Sequence, residues 1–158
     1  MKQVAPQLGT ANARTAAKGS SALRRPVGYV PASEVRALLA DSLAARQQRL
    51  AAADMVSTDE AAQLAQTTRV TINAWIAKGR AIGLTQTKRG FRMPSWQFEP
   101  ALWAALPRLS AALGTTEGWA LLSFLESPHG ALNGSTPRQA IEQGQAEQVI
   151  QIAGQEGT

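Results

Sequence analysis

Cysteine is absent from the 158-residue chain, which excludes a disulfide scaffold, a cysteine zinc site, iron–sulfur ligation and thiol catalysis together. Histidine is almost as scarce. His129 stands alone, too little for a His-rich metal centre or a His-based triad, and it reads as a loop hydrogen-bonder. The longest apolar run, Trp119 to Leu125 with Ser123 inside it, falls far short of the ~20 residues that span a bilayer. No signal-peptide pattern stands at the start, where Lys2 and Gln3 lead into polar, Ala-rich sequence. No Gly-rich phosphate loop follows a strand-like run, and no carboxylates pair at a converging spacing. The expectation is a cytoplasmic protein that is not an enzyme, needs no cofactor or metal, and has no membrane partner.

What is present is basic charge, unevenly placed. The net charge is +5 and the isoelectric point about 10.4. Up to Met55 eight Lys/Arg face three acids, a net +5; from Val56 to Ser95 six face two, a net +4; from Trp96 onward Arg108 and Arg138 face six Glu, a net −4. Basic first and acidic last fits a chain that touches a polyanion with one part and something else with the other. Residues 1–30 contain no acid and carry Pro6, Gly9, Gly19 and Pro26, which reads as a flexible basic arm. With 44% hydrophobic residues the remainder can form a packed core.

From Ser33 the pattern turns helical. Val35, Leu39, Leu43 and Leu50 recur at steps of four and seven, with Arg46 to Arg49 placed on the opposite face. So narrow a stripe serves either packing against the following domain or a dimer seam. Ser57 and Glu60 have capping-box spacing, opening a helix to about Gln66 with Ala61, Leu64 and Ala65 inward. Thr68 caps a second helix running through Lys78 with Ile72, Trp75 and Ile76 inward, so the pair forms a helix-turn-helix. Leu84 to Met93 then reads as two short extended runs about Lys88-Arg89-Gly90. Phe91 and Met93 fall on one side and Arg92 on the other, and Pro94 ends the pairing. A basic hairpin in that place is a wing.

The second helix of such a unit lies in the major groove with its N-terminal residues at base edges. Its outward positions are Arg69, Val70, Asn73, Ala74 and Lys78. Arg69 suits guanine, Asn73 suits adenine, and Val70 or Ala74 suits a thymine methyl. Thr68 and Thr71 are placed for phosphates or capping, while Arg80, Lys88, Arg89 and Arg92 would neutralise the backbone or enter the minor groove.

Thr58-Asp59-Glu60-Ala61-Ala62-Gln63-Leu64, Thr68 and Arg69-Val70-Thr71-Ile72-Asn73-Ala74-Trp75-Ile76, and Lys78-Gly79-Arg80 resemble the winged helix-turn-helix of the MerR and excisionase group. Gln66 stands where that pattern has Gly, and Thr67 where it has an apolar residue. Further on, Phe91 to Phe98, Phe124 to Pro137 and Gly144 to Val149 resemble the Xre/MbcA/ParS antitoxin-like group. That second resemblance implies a partner toxin, typically of the NAD-consuming RES type, held through the C-terminal region while the complex represses its own operon. It makes Val149, Ile150, Ile152 and Gly154 the expected toxin contacts.

The expected architecture is mostly α: a basic arm over 1–30, an amphipathic helix over 31–55, a winged helix-turn-helix over 56–98, and a helical partner-binding domain over 99–158. In the loop before the penultimate helix, Gly130, Asn133 and Gly134 suit turns, Ser135 or Thr136 can cap, and Pro137 fits a first helical position. Three functions stay open: a dimeric DNA-binding antitoxin, a stand-alone excisionase-like regulator, and an adaptor whose basic face meets an acidic protein.

Overall fold

The computed structural model describes residues 31–85 and 90–158, so the basic arm and the hairpin tip with Lys88 and Arg89 lie outside the described residues. The chain divides into two compact units, Met1–Leu43 and Ala44–Thr158. The described part is mostly helical with one small two-stranded antiparallel sheet.

Helix α1 (Ala32–Leu50) begins before Ser33, its first turn closed by Val35 N–H to the Pro31 carbonyl at 3.0 Å. None of its residues is buried, and Val35, Leu38, Leu39 and Leu43 are exposed. Leu50 alone of the expected stripe lies half-buried against the core of the second unit. Arg46 is not on a free polar face: its guanidinium lies 4.8 Å from the Trp119 ring centroid.

Three residues that the sequence pattern placed at the end of one helix and the cap of the next form β1 (Met55–Ser57), and Ser57 keeps its capping role as well. It pairs antiparallel with β2 (Arg92–Pro94), Met55 opposite Pro94 and Ser57 opposite Arg92. Pro94 therefore does not end the pairing. On the other side of β2, Leu84 and Arg92 exchange backbone hydrogen bonds of 2.8 and 2.9 Å. Alternation along β2 is as expected, with Arg92 exposed, Met93 buried and Phe91 before them half-buried.

Between the strands run α2 (Thr58–Leu64) and α3 (Arg69–Ala77). Ser57 Oγ accepts from Glu60 N–H at 3.1 Å and Glu60 Oε1 from Ser57 N–H at 2.9 Å, the reciprocal capping box. α2 ends in the double hydrogen bond of a Schellman turn: Thr67 N–H to Ala62 C=O at 2.9 Å and Gln66 N–H to Gln63 C=O at 3.2 Å. That turn needs a left-handed residue, and Gln66 supplies it at φ 54°. Gln66 and Thr67 thus occupy the two positions where glycine and an apolar residue are usual. Ala61 and Ala62 are the buried residues of α2 among its apolar positions, while Leu64, expected inward, is exposed.

The remaining helices are α4 (Pro100–Leu113), α5 (Gly118–Glu126), α6 (Pro137–Glu142) and α7 (Ala146–Glu156). α4 is continuous through Pro107. Proline lacks the N–H that would bond the carbonyl four residues back, here that of Trp103. Arg80 replaces it, Nη1 donating to the Trp103 carbonyl at 2.6 Å. α5 opens on Gly118, where a Cβ would collide with the Gly83 carbonyl. Thr136 and Gln139 form a second capping box ahead of α6, with Pro137 first in the helix. His129 is a loop hydrogen-bonder, Nδ1 accepting from Ala131 N–H at 3.1 Å and Nε2 lying 2.8 Å from Glu156.

Two apolar clusters result. The smaller gathers Ala61, Ala62, Ile72, Ile76, Ala81 and Met93. The larger joins Met55, Ile82, Leu84 and Trp96 to Leu102, Leu106, Leu109, Leu121, Leu125, Ile141, Val149 and Ile152. The expected boundary at 98–99 therefore runs through a single core, and Trp103 borders both clusters.

Candidate nucleic-acid interface

α3 is fixed at both ends and along its inner face, and its outer face is left open. At the start, Thr68 Oγ1 accepts from Thr71 N–H at 3.2 Å, and the two threonine hydroxyls lie 3.1 Å apart. The Thr68 hydroxyl is thereby engaged in capping, and Thr71 is half-buried. At the end, Gly79 turns the chain at φ 74°, and a Cβ there would meet Ser110 Oγ at 2.6 Å. Ile72 and Ile76 are buried. Trp75 is half-buried, not fully buried as its spacing suggested, and stands edge-on to Trp103 with centroids 5.1 Å apart.

Arg69, Val70, Asn73, Ala74 and Lys78 are all exposed, Val70 by 78%. Arg69 lies beside Asp59 in the first turn of α2, with Nη1 3.9 Å from Oδ1. Arg69 also borders the hairpin, because a Cβ on Gly90 would lie 4.0 Å from Arg69 Nη2. Ser57, Thr58, Asp59, Arg69, Gly90, Phe91 and Arg92 together line a notch of about 190 Å³. The fold thus brings the start of α3 and the descending arm of the hairpin to one place. The backbone and hydroxyl hydrogen bonds from Ser57 hold the Glu60 carboxyl below its usual range, with a smaller contribution from Arg92.

Arg80, expected among the phosphate contacts, is turned inward. Its guanidinium lies 3.5 Å from the Trp103 ring centroid while bonding the Trp103 carbonyl, and burial pulls its pKa down from the ordinary arginine value. Its place is structural. Gln97, which was not among the expected site residues, is fully buried. Its Oε1 accepts from Ile82 N–H at 2.7 Å, and its Nε2 donates to the carbonyls of Ile82 at 2.9 Å and Pro94 at 3.0 Å. It ties the segment after α3 to β2, and so sets where the hairpin leaves the helix pair.

At the other end of the chain, Val149 and Ile152 are core residues of α7 and cannot be surface contacts. Ile150 and Gly154 are half-buried. A groove of about 570 Å³, lined by Leu113, Phe124, Pro128, His129 and Glu156 among others, opens beside the end of α7. No group of three or more metal-ligating side chains occurs among the described residues, and none of their helices is long and apolar enough to cross a membrane. No family model, curated protein or solved structure matches the chain.

Proposed function

We propose that this protein is a DNA-binding transcriptional regulator that reads duplex DNA as a winged helix-turn-helix. In this reading α3 enters the major groove and the hairpin around Gly90 follows the adjacent backbone. One observation carries it: the exposed face of α3 presents Arg69, Val70, Asn73 and Lys78 without an acidic residue among them, on a helix held from behind by the smaller apolar cluster through Ile72 and Ile76. Side chains that read bases must project from a rigid element, and α3 is capped at its start and anchored by buried Ile72 and Ile76. Arg92 and, outside the described residues, Lys88 and Arg89 add positive charge along the hairpin. Thr68 and Thr71 border the start of the same face, and of their mutually bonded hydroxyls one keeps its hydrogen for a phosphate.

The finer role proposed is that of a homodimeric antitoxin that represses its own operon and neutralises a toxin of the RES type. It is supported by the resemblance of the last third of the sequence. With Val149 and Ile152 in the core, the toxin contacts on α7 reduce to Ile150, Gly154 and the groove beside Glu156. Rescue from a toxin encoded next door, by the full chain, supports this role; lack of rescue leaves the stand-alone regulator.

The DNA reading is tested by selecting bound sequences from a random duplex library and then measuring Asn73→Ala. A base-reading Asn73 costs the selected site about 1–3 kcal/mol at one base position and leaves random duplex nearly unaffected. Equal loss on both kinds of DNA contradicts base reading by this face.

A further inference from the structure

We propose that Asp59 is the positioning residue that directs Arg69 onto a guanine and away from the phosphate backbone. The inference rests on the DNA-binding reading above and extends it to specificity. Arg69 is the first residue of α3, and its guanidinium is flanked by the Asp59 carboxylate near Nη1 and by the hairpin backbone at Gly90 near Nη2. A guanidinium presents five N–H donors in a rigid planar fork. It can therefore give one edge to a carboxylate while the other meets O6 and N7 of guanine.

As an ion pair in water this contact is nearly worthless. The charges are 3.9 Å apart, with side chains 61% and 70% exposed, and exposed pairs contribute little to stability. Against DNA the balance changes. An aspartate on α2 at the edge of this face repels phosphates unless a cation stays beside it, so any complex in which Arg69 swings out to the backbone leaves Asp59 unpaired in a strongly negative field. The same carboxylate that lowers affinity for DNA in general thus favours the one pose in which Arg69 reads a base. Helix capping does not account for it, because Glu60 already closes the capping box of α2. The remaining structural role, a favourable charge at the α2 N-terminus, predicts an effect on melting but none on base choice.

The test uses the full chain. The guanine position read by Arg69 is the position whose preference disappears in sites selected by Arg69→Ala. The ratio of Kd between adenine and guanine at that position is then measured at fixed salt for the parent, Asp59→Asn and Asp59→Glu, with melting temperatures alongside. The expected parent ratio is on the order of tenfold or more. It falls to about threefold or less in Asp59→Asn while affinity for random duplex rises, and Asp59→Glu restores part of the ratio. An Asp59→Asn protein that keeps the parent ratio overturns the proposal. So does one that loses affinity for selected and random DNA alike in step with a lower melting temperature. A parent that selects a site in which Arg69→Ala removes no preference also overturns it, with DNA binding left standing. A parent that binds no duplex at all overturns the DNA-binding reading and this inference with it.

Discussion

Arg80 shows how a residue read for one purpose is held by another. In the sequence it is a cation after the second helix of a candidate DNA-binding unit. In the fold it caps the carbonyl that Pro107 orphans, 23 residues further on. A local reading of Pro107 gives a helix break, because nothing near it in sequence can replace the missing N–H. Arg80→Ala should cost about 1–3 kcal/mol, the penalty of an unpaired carbonyl. In a Pro107→Ala background, where the restored backbone N–H can serve the Trp103 carbonyl, the same substitution should cost markedly less. Urea midpoints of the four proteins in this cycle check it, and strict additivity would show that the two residues do not share the carbonyl. Gln66 is the complementary case. Its identity argued against a tight turn, yet the backbone takes φ 54° regardless. Left-handed backbone costs a side-chain-bearing residue roughly 1–2 kcal/mol, part of which glycine would lose again to chain entropy. Gln66→Gly should raise stability by about 0.5–1 kcal/mol, and an unchanged or lower urea midpoint contradicts the turn.

At the scale of elements, the helices were legible where capping and periodicity agree. Ser57 with Glu60, Thr68, and Thr136 before Pro137 mark starts that the structure keeps. β1 was not legible: three residues carry no periodicity, and their strand character comes from pairing with β2 some 37 positions away. The last turn of α1 is held by one partner near in sequence, Asp54, and one far along the chain, Glu126. Arg49 bonds both oxygens of Asp54 at 2.7 and 2.8 Å and both of Glu126 at 2.9 and 2.6 Å, while Trp96 Nε1 donates to Asp54 at 3.0 Å. The hydrogen bond and charge of Arg49 hold the Asp54 carboxyl below its usual range. A carboxylate with a depressed folded-state pKa stabilises the fold above its unfolded value, near pH 4, and that contribution is lost as pH falls through the folded value. Unfolding free energy should therefore decline below about pH 4, and Asp54→Asn should be less stable than the parent at neutral pH and decline less steeply. Identical pH profiles for the two proteins would remove Asp54 from the clamp.

For the whole molecule, charge reversal near Ser95 invited a division into a DNA-binding half and a partner-binding half. Hydrophobic packing does not follow it. Ile82, Leu84 and Trp96 share a core with Leu106, Leu109 and Ile152, which charge and punctuation along the chain do not reveal. A fragment ending at Pro100 leaves that core without α4 to α7. Truncation after Gln143 removes Val149 and Ile152, each worth about 1.5–3 kcal/mol of burial, from a protein whose total stability is of the order of 5–15 kcal/mol. Both fragments should lack a cooperative urea transition in far-UV circular dichroism, and a sharp transition in either would show the halves to be separable.

The site was legible only in outline. The outward face of α3 follows from helical spacing, but the approach of Arg69 to Asp59 and Gly90 depends on how α2, α3 and the hairpin meet in space. Val70 sits in the middle of that face, 78% exposed, so an added charge there disturbs no packing. The decisive measurement is the affinity of Val70→Asp for duplex DNA beside that of Ala104→Asp, the same change at an exposed position on α4. A carboxylate facing phosphates costs several kcal/mol, so Val70→Asp should bind at least about a hundredfold more weakly than the parent. Ala104→Asp should stay within about threefold of it. Equal affinities for the two variants, with both proteins folded, would contradict DNA binding through α3.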